Sequence, residues 1–310
     1  MTTLYLGDTL YPIGSNISIM TELKTAQEKF IEHLQELGRS KSTVVAYSKD
    51  IEQLLEYVQQ AHQVQMITNI ELTHLEAFMD KLSTEDYTPK SISRKTNSTK
   101  TFFRFLVDNE LIAHNTADKL KHPQVEIKEP RILSRLEYGA LRDAAKNDSR
   151  AFAVIEVLLQ TGARISELAN IKLDHIIEDN NKKQLHIPKR DGYAERTILL
   201  NKAAISAIED YLNERPQIEE SKHLFITKTG RPLLVRNIRA TITRYFKLAG
   251  IENAKVNDLR HTFVAHHLAQ GTNMITVSKI AGHKRISTTE RYLQYIDKVS
   301  SDEKTELGVL

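Results

Sequence analysis

The sequence predicts a mainly α-helical protein of two domains, with a small β-hairpin in the second. Three observations carry that expectation. Apolar residues recur every three or four positions over most of residues 22–106, an aperiodic stretch holding Pro123 and Pro130 breaks the pattern, and two short β-type runs flank Asp191-Gly192. At 310 residues the chain is also longer than one hydrophobic core usually spans.

In chain order, residues 1–21 mix Gly7, Pro12 and Gly14 with polar residues and read as a flexible N-terminal arm. Leu23, Ala26, Phe30, Leu34 and Leu37 then form one apolar stripe, with Gly38 as the stop signal. The same period returns at Val44, Tyr47, Ile51, Leu54, Leu55 and Val58, at Leu72, Leu75, Phe78, Met79 and Leu82, and at Ile92, Thr99, Phe103 and Leu106. A four-helix domain over residues 22–116 follows. Its fourth helix opens near Pro89 and carries Lys90, Arg94, Lys95, Lys100 and Arg104 among hydroxyl and amide side chains, a surface that can lie close to phosphates. A solvated helix face with scattered cations has the same composition.

Residues 117–133 read as an extended linker, and residues 134–310 as a second domain ending in a C-terminal tail. Helical patterns return at 136–145 and 151–159. The hairpin is expected from 184–188 and 196–200, a further short strand at 224–227, and helices from there to about residue 299.

Composition removes several function classes. With no cysteine, the chain has no disulfide, no Cys-ligated zinc and no thiol nucleophile, so any nucleophile is an oxygen or a nitrogen. A net charge of +3 and a pI near 8.8 permit a nucleic-acid partner without requiring one. The longest apolar stretch, 151–159, already contains Glu156, so no membrane span is expected, and Met1-Thr2-Thr3-Leu4-Tyr5 offers no secretion signal, so a cytoplasmic location is expected. The 12 histidines are scattered, and the adjacent His266 and His267 point to different helix faces; neither metal nor cofactor is expected.

The chemistry gathers at three places. The segment 158–168 ends one helix at Gly162 and starts another, leaving Arg164 at the junction, where it either points into a cleft or pairs structurally with Glu167. Asn257, Arg260 and His261 share one helical face. Ser287-Thr288-Thr289-Glu290 reads as a capping box that starts a helix, with Tyr292 in its first or second turn. A tyrosine with a pKa near ~10 is a poor nucleophile unless its proton is removed and the charge on the attacked group is neutralised. Two arginines and a histidine meet the second need.

The strings TGARISEL, NDLRHTFVAHHLAQG and IAGHKRISTTERY, in that order, resemble the signature boxes of the tyrosine recombinase or phage integrase family, the Xer-like site-specific recombinases in particular. The resemblance covers about residues 22–295. It implies a helical core-binding (SAM-like) domain and a catalytic domain forming a C-shaped DNA clamp. By motif, Arg164, Arg260 and His283 become the phosphate-binding residues, and Tyr292, rather than Tyr295 three positions on, becomes the nucleophile. Lys189 matches the family's hairpin lysine, on a turn about two residues longer. The implied partner is a double-stranded recombination site, bound by two protomers and by four in a synapse, of this chain alone or with a related recombinase. Strand exchange would pass through a Holliday junction, and the tail after Tyr292 would dock on a neighbour.

One position departs from the family pattern. Asn257 stands where the family usually has histidine, and an amide can position a phosphate oxygen but cannot exchange a proton near neutral pH. A catalytically impaired DNA-binding regulator is therefore kept as a second reading, and a type IB topoisomerase-like enzyme as a third.

Overall fold

The apolar stripes become four helices in the first of two units into which the chain divides, residues 1–127 and 128–310. The structure is a computed structural model and describes residues 4–5, 10–11, 21–126, 128–190 and 192–295. Of the expected arm it describes two short strands, β1 (Leu4–Tyr5) and β2 (Leu10–Tyr11), paired antiparallel with Leu4 opposite Tyr11. The rest of the arm up to residue 20, and the tail from residue 296, lie outside the described residues.

The bundle is α1 (Leu23–Glu36), α2 (Lys41–His62), α3 (Leu72–Thr84) and α4 (Pro89–Asp108). Ser40 and Thr88 cap α2 and α4 by accepting the N–H groups of Thr43 and Ser91, which satisfies donors that a helix start leaves unpaired. Phe30, Phe78, Phe102 and Phe103 are fully buried at the centre, with Phe30 and Phe102 edge to face at 5.1 Å. Leu37 departs from its expected stripe and is 55% exposed, because it follows the last residue of α1, where the chain has already left the helical period.

The cationic face of α4 needs one correction. Lys95 is not at the surface; it is buried, and its ammonium donates to Asp50 Oδ1 at 3.0 Å and Gln53 Oε1 at 2.6 Å. Asp50, itself buried on α2, also accepts from Arg94 and from Ser98 Oγ. The interior position follows from spacing: Lys95 lies on the face of Ile92, Thr99 and Phe102, where only a paired charge is tolerated. Lys90, Arg94 and Arg104 are exposed, and the half-buried Lys100 donates to the carbonyl of Asp118.

Of the expected linker, Ala117 and Leu120 belong to the first core. Leu133 belongs to the second and donates its N–H to Thr262 Oγ1 at 2.8 Å. The second unit contains α5 (Arg135–Ala145), α6 (Ser149–Thr161), α7 (Ile165–Leu168), α8 (Lys202–Glu214), α9 (Val235–Leu248), α10 (Val256–Ala269), α11 (Met274–Ala281) and α12 (Ser287–Glu290). α6 is its axis, buried along most of its length and packed on α8 and α10. The single carboxylate in its apolar run, Glu156, is buried and satisfied by Arg142 and Gln160.

The hairpin is the outer part of a three-stranded antiparallel sheet ordered β3 (Ile176–Asp179), β4 (Lys182–Ile187), β5 (Arg196–Leu199). β3 was not expected. Its turn was readable, since Asn180 and Asn181 both take left-handed backbone conformations, as a two-residue hairpin turn demands. The strand expected at 224–227 is reduced to a single bridge, Ile226 with Pro232, because Leu224 and Ile226 give their N–H groups to the Ile171 carbonyl and the Tyr211 hydroxyl. Among the described residues no helix is long and apolar enough to cross a membrane.

Asp50→Ala would leave the Lys95 ammonium buried without its counter-charge, so a loss of about 3–5 kcal/mol is expected in urea unfolding. Asp50→Ala combined with Lys95→Met should recover most of it. An unchanged midpoint for Asp50→Ala would contradict this account.

Candidate active site

Helix ends build the site. α6 stops at Gly162, whose φ of +61° continues the chain in a left-handed turn, and a Cβ there would lie 2.3 Å from the Phe263 ring. The turn exposes the Gly162 carbonyl, which accepts from Arg260 Nη1. It also delivers Arg164 to the N-terminus of α7 in an extended conformation. There the Arg164 N–H donates to Glu167 Oε2 at 2.7 Å, its Nη1 to Glu167 Oε1 at 3.0 Å and its Nη2 to the Gly282 carbonyl at 2.6 Å. The ion pair with Glu167 therefore exists, and it aims Arg164 at the loop that carries His283.

Arg196 was not singled out from the sequence. It donates from Nη1 and Nη2 to the two Glu167 oxygens at 2.9 and 2.8 Å, and from Nε to the Ile280 carbonyl at 2.7 Å. A signal was present: on β5 it shares the inward face with buried Ile198 two residues on, an unusual place for an arginine without a partner. Burial pushes the Glu167 carboxyl up, but the bonds and charge of Arg196, joined by Arg164, hold it below the usual carboxylate range.

Arg260 projects from α10 and is buried. Burial, followed by the charge of Arg164, lowers its pKa to about 10, so it stays protonated at neutral pH. With exposed Asn257 it lines a cavity of about 350 Å³ that also takes Arg239 and Lys255. One turn along, His261 Nε2 accepts from Asn257 Nδ2.

His283 follows Gly282, the left-handed cap of α11, where a Cβ would lie 2.8 Å from Arg196 Nη1. Its Nδ1 is 2.7 Å from Thr289 Oγ1. Burial first, and then the charges of Arg260, Arg164, Arg196 and Arg291, push its pKa down to about 3, so the imidazole is neutral. Its ring lies parallel to that of Tyr292 with centroids 6.4 Å apart, and His261 is a second imidazole 5.9 Å from the same tyrosine. Tyr292 is 4% exposed; burial raises its pKa, and Arg260 and Arg291 work against that.

The local structure around Tyr292 differs from the expected capped helix. α12 is a single turn, and Ile286 before it already has helical φ and ψ, so Ser287 is its first residue and not its cap. Tyr292 lies past the end of α12, its N–H bonded to the Thr289 carbonyl, and a tight turn over Leu293–Tyr295 follows.

The structure thus brings Arg164, Arg260, His283 and Tyr292 together, with Asn257 and His261 alongside. Lys189 is exposed two residues past β4, and among the described residues no hydrogen bond joins it to this group. Its loop is nonetheless anchored there, because the Tyr193 ring lies 3.9 Å from the Arg164 guanidinium and 4.3 Å from the Lys284 ammonium. Tyr193 was also missed by the sequence reading. Arg164, Arg196 and Arg260 face one carboxylate, so the site carries surplus positive charge around a neutral histidine and a protonated phenol, complementary to a phosphodiester.

A stability prediction follows from His283. Its folded pKa of about 3 lies below the ordinary 6.5, so the unfolded chain binds the extra proton in that window and stability falls as pH drops through it. His283→Gln should flatten that part of the loss when urea midpoints are compared between about pH 7 and pH 4. Equal slopes for the two proteins would refute it.

Comparison with known proteins identifies the family. The family model described as the phage integrase family matches residues 129–298, and the phage integrase N-terminal SAM-like domain matches residues 28–110. The chain is 31% identical to the tyrosine recombinase XerC of Natranaerobius thermophilus over 276 residues, covering 85% of this chain and 91% of that one. It is 30% identical to XerC of Staphylococcus carnosus, covering 86% and 91%. Among solved structures, the XerH recombinase bound to palindromic difH substrate in a post-cleavage complex is similar with a TM-score of 0.71 at 18% identity, covering 89% of this chain and 82% of that one. A lambda integrase dimer bound to a COC′ core site gives 0.70 at 17%, covering 98% and 85%, and a lambda integrase tetramer bound to a Holliday junction gives 0.70 at 17%, covering 91% and 84%. Family models over both units, relatives along nearly the whole chain and a shared fold lead to one assignment: this chain belongs to the phage integrase family, as a tyrosine recombinase of the Xer type.

Proposed function

We propose that the chain is a site-specific recombinase that cuts and rejoins duplex DNA through a 3′-phosphotyrosyl bond at Tyr292. One observation carries the reading: Arg164 and His283, each at a helix end, and Arg260, on α10, converge on a buried tyrosine with positive charge in excess.

In this mechanism Arg164 and Arg260 hold the non-bridging oxygens of the scissile phosphate, and neutral His283 adds a hydrogen bond without adding charge. Tyr292 Oη attacks phosphorus as the bond to the 5′-oxygen breaks, and the Lys189 ammonium protonates that oxygen from the hairpin loop. The bond energy is kept in the phosphotyrosine, so rejoining is the same step reversed. Asn257 positions a phosphate oxygen at the mouth of the cavity it shares with Arg260. On the first unit, exposed Lys90, Arg94 and Arg104, with Lys100, lie against flanking phosphates, and Lys95 supports them from the interior.

The solved relatives hold DNA as a dimer on a core site and as a tetramer on a Holliday junction. By analogy this chain acts with two protomers per site and four in a synapse, in the cytoplasm where its DNA lies. Asn257 alone favours a non-cutting regulator, and the relatives named tyrosine recombinases weigh against both that reading and the topoisomerase-like one.

The test uses a nicked duplex bearing the sequence that the full chain enriches from a randomised DNA library. Wild type should leave a covalent protein–DNA adduct on a denaturing gel, and Tyr292→Phe should bind equally well with no adduct. Arg260→Ala should lower adduct formation by at least about a hundredfold. Tight binding by wild type without any adduct would overturn the reading in favour of the regulator.

A further inference from the structure

We propose that His261 is the proton acceptor for Tyr292, and that Asn257 controls when its lone pair is available. The inference rests on the recombinase reading and names the group that this reading leaves open.

A protonated phenol cannot attack phosphorus without losing its proton, and most neighbours are unfit to take it. Arg164 and Arg260 only donate. The Asn257 amide does not titrate near neutrality. His283 has one ring nitrogen engaged with Thr289 and is surrounded by cations, so a second proton on it is disfavoured. Lys189 is spent on the leaving oxygen in the mechanism above.

His261 differs on each count. Its ring is 5.9 Å from that of Tyr292, tilted by 59°, on the helical face that also presents Asn257 and Arg260. Nε2 accepts from Asn257 Nδ2, which places the ring hydrogen on Nδ1. Nδ1 is buried, has no hydrogen-bond partner among the described residues and lies 3.5 Å from Asp258 Oδ1. Asp258 is held by the N–H of Lys255 at 2.7 Å. A carboxylate beside Nδ1–H stabilises the imidazolium that forms when Nε2 gains a proton, the arrangement that makes a histidine an effective base.

Asn257 makes the device conditional. While its N–H points at Nε2, that lone pair is occupied. Asn257 is exposed and lines the cavity with Arg239, Lys255 and Arg260, so an entering phosphate oxygen competes for the same N–H. Once the amide turns to the phosphate, Nε2 is released to the phenol. The proton then moves from Tyr292 Oη to His261 Nε2 as the Oη lone pair forms the bond to phosphorus. The bond to the 5′-oxygen breaks, and its electron pair takes a proton from Lys189. Rejoining returns both protons.

The experiment compares cleavage by the full chain on the library-selected nicked duplex and on the same duplex with a bridging 5′-sulfur, a leaving group that needs no proton. His261→Gln should cut on the order of a hundredfold more slowly on both substrates, with wild-type DNA affinity and unfolding midpoint, whereas Lys189→Ala should recover on the sulfur substrate. Adding Asn257→His to His261→Gln should restore much of the rate. Asp258→Asn, which keeps the bond to Lys255, should slow cleavage in the same direction. Wild-type cleavage by His261→Gln, repair of its defect by the bridging sulfur, or a loss of DNA binding in step with cleavage would each overturn the inference while leaving the recombinase reading intact. A wild-type chain that forms no Tyr292-dependent adduct would overturn both.

Discussion

The carboxylate of Glu167 is the interaction on which the site depends. It accepts from the main chain and side chain of Arg164 and from both ends of the Arg196 fork. Without it, guanidinium groups crowded into a poorly solvated space would repel one another and turn toward water. With it, Arg164 and Arg196 become struts that reach the carbonyls of Gly282 and Ile280 and tie α7 and β5 to the end of α11. One carboxylate does not balance three arginines. The pKa of Arg260 is lowered by burial first and then by the charge of Arg164, and an arriving phosphodiester offsets that charge.

The same burial that strengthens these contacts keeps the reacting groups quiet. It raises the Tyr292 phenol and depresses His283, so both are neutral in the free protein. A site that attacks phosphodiesters gains from this restraint, because an ionised phenol with no DNA present would be an exposed liability to other electrophiles. Chemistry begins only when the substrate brings its own charge to the arginines.

How much of this was legible in the sequence depended on the range of the forces involved. Helices α1 to α4 were readable because each buries one stripe for at least three turns, and the strings around Arg164, Arg260, His283 and Tyr292 were readable because each is local. The missed features are those set by partners far along the chain. Arg196 meets Glu167 across 29 positions and Ile280 across 84, and nothing near it in sequence announces either bond. Lys95 looked like one more surface cation because its partner, Asp50, is on another helix. The one-turn α12 escaped for a different reason: Ser287-Thr288-Thr289-Glu290 has the letters of a capping box, but the backbone at Ile286 is already helical.

The arginines of the site are aimed largely by main-chain oxygens, those of Gly162, Ile280, Ala281 and Gly282. A peptide carbonyl survives any amino-acid replacement that leaves the path of the chain unchanged. Glu167 apart, the arginine scaffold is thus insulated from most drift in neighbouring side chains, and among its main-chain anchors the unforgiving positions are the two glycines whose left-handed turns set that path. Lys90 and Arg104 sit in the other unit, exposed on α4. Such a division lets exposed side chains change while the chemistry of the site is inherited unaltered.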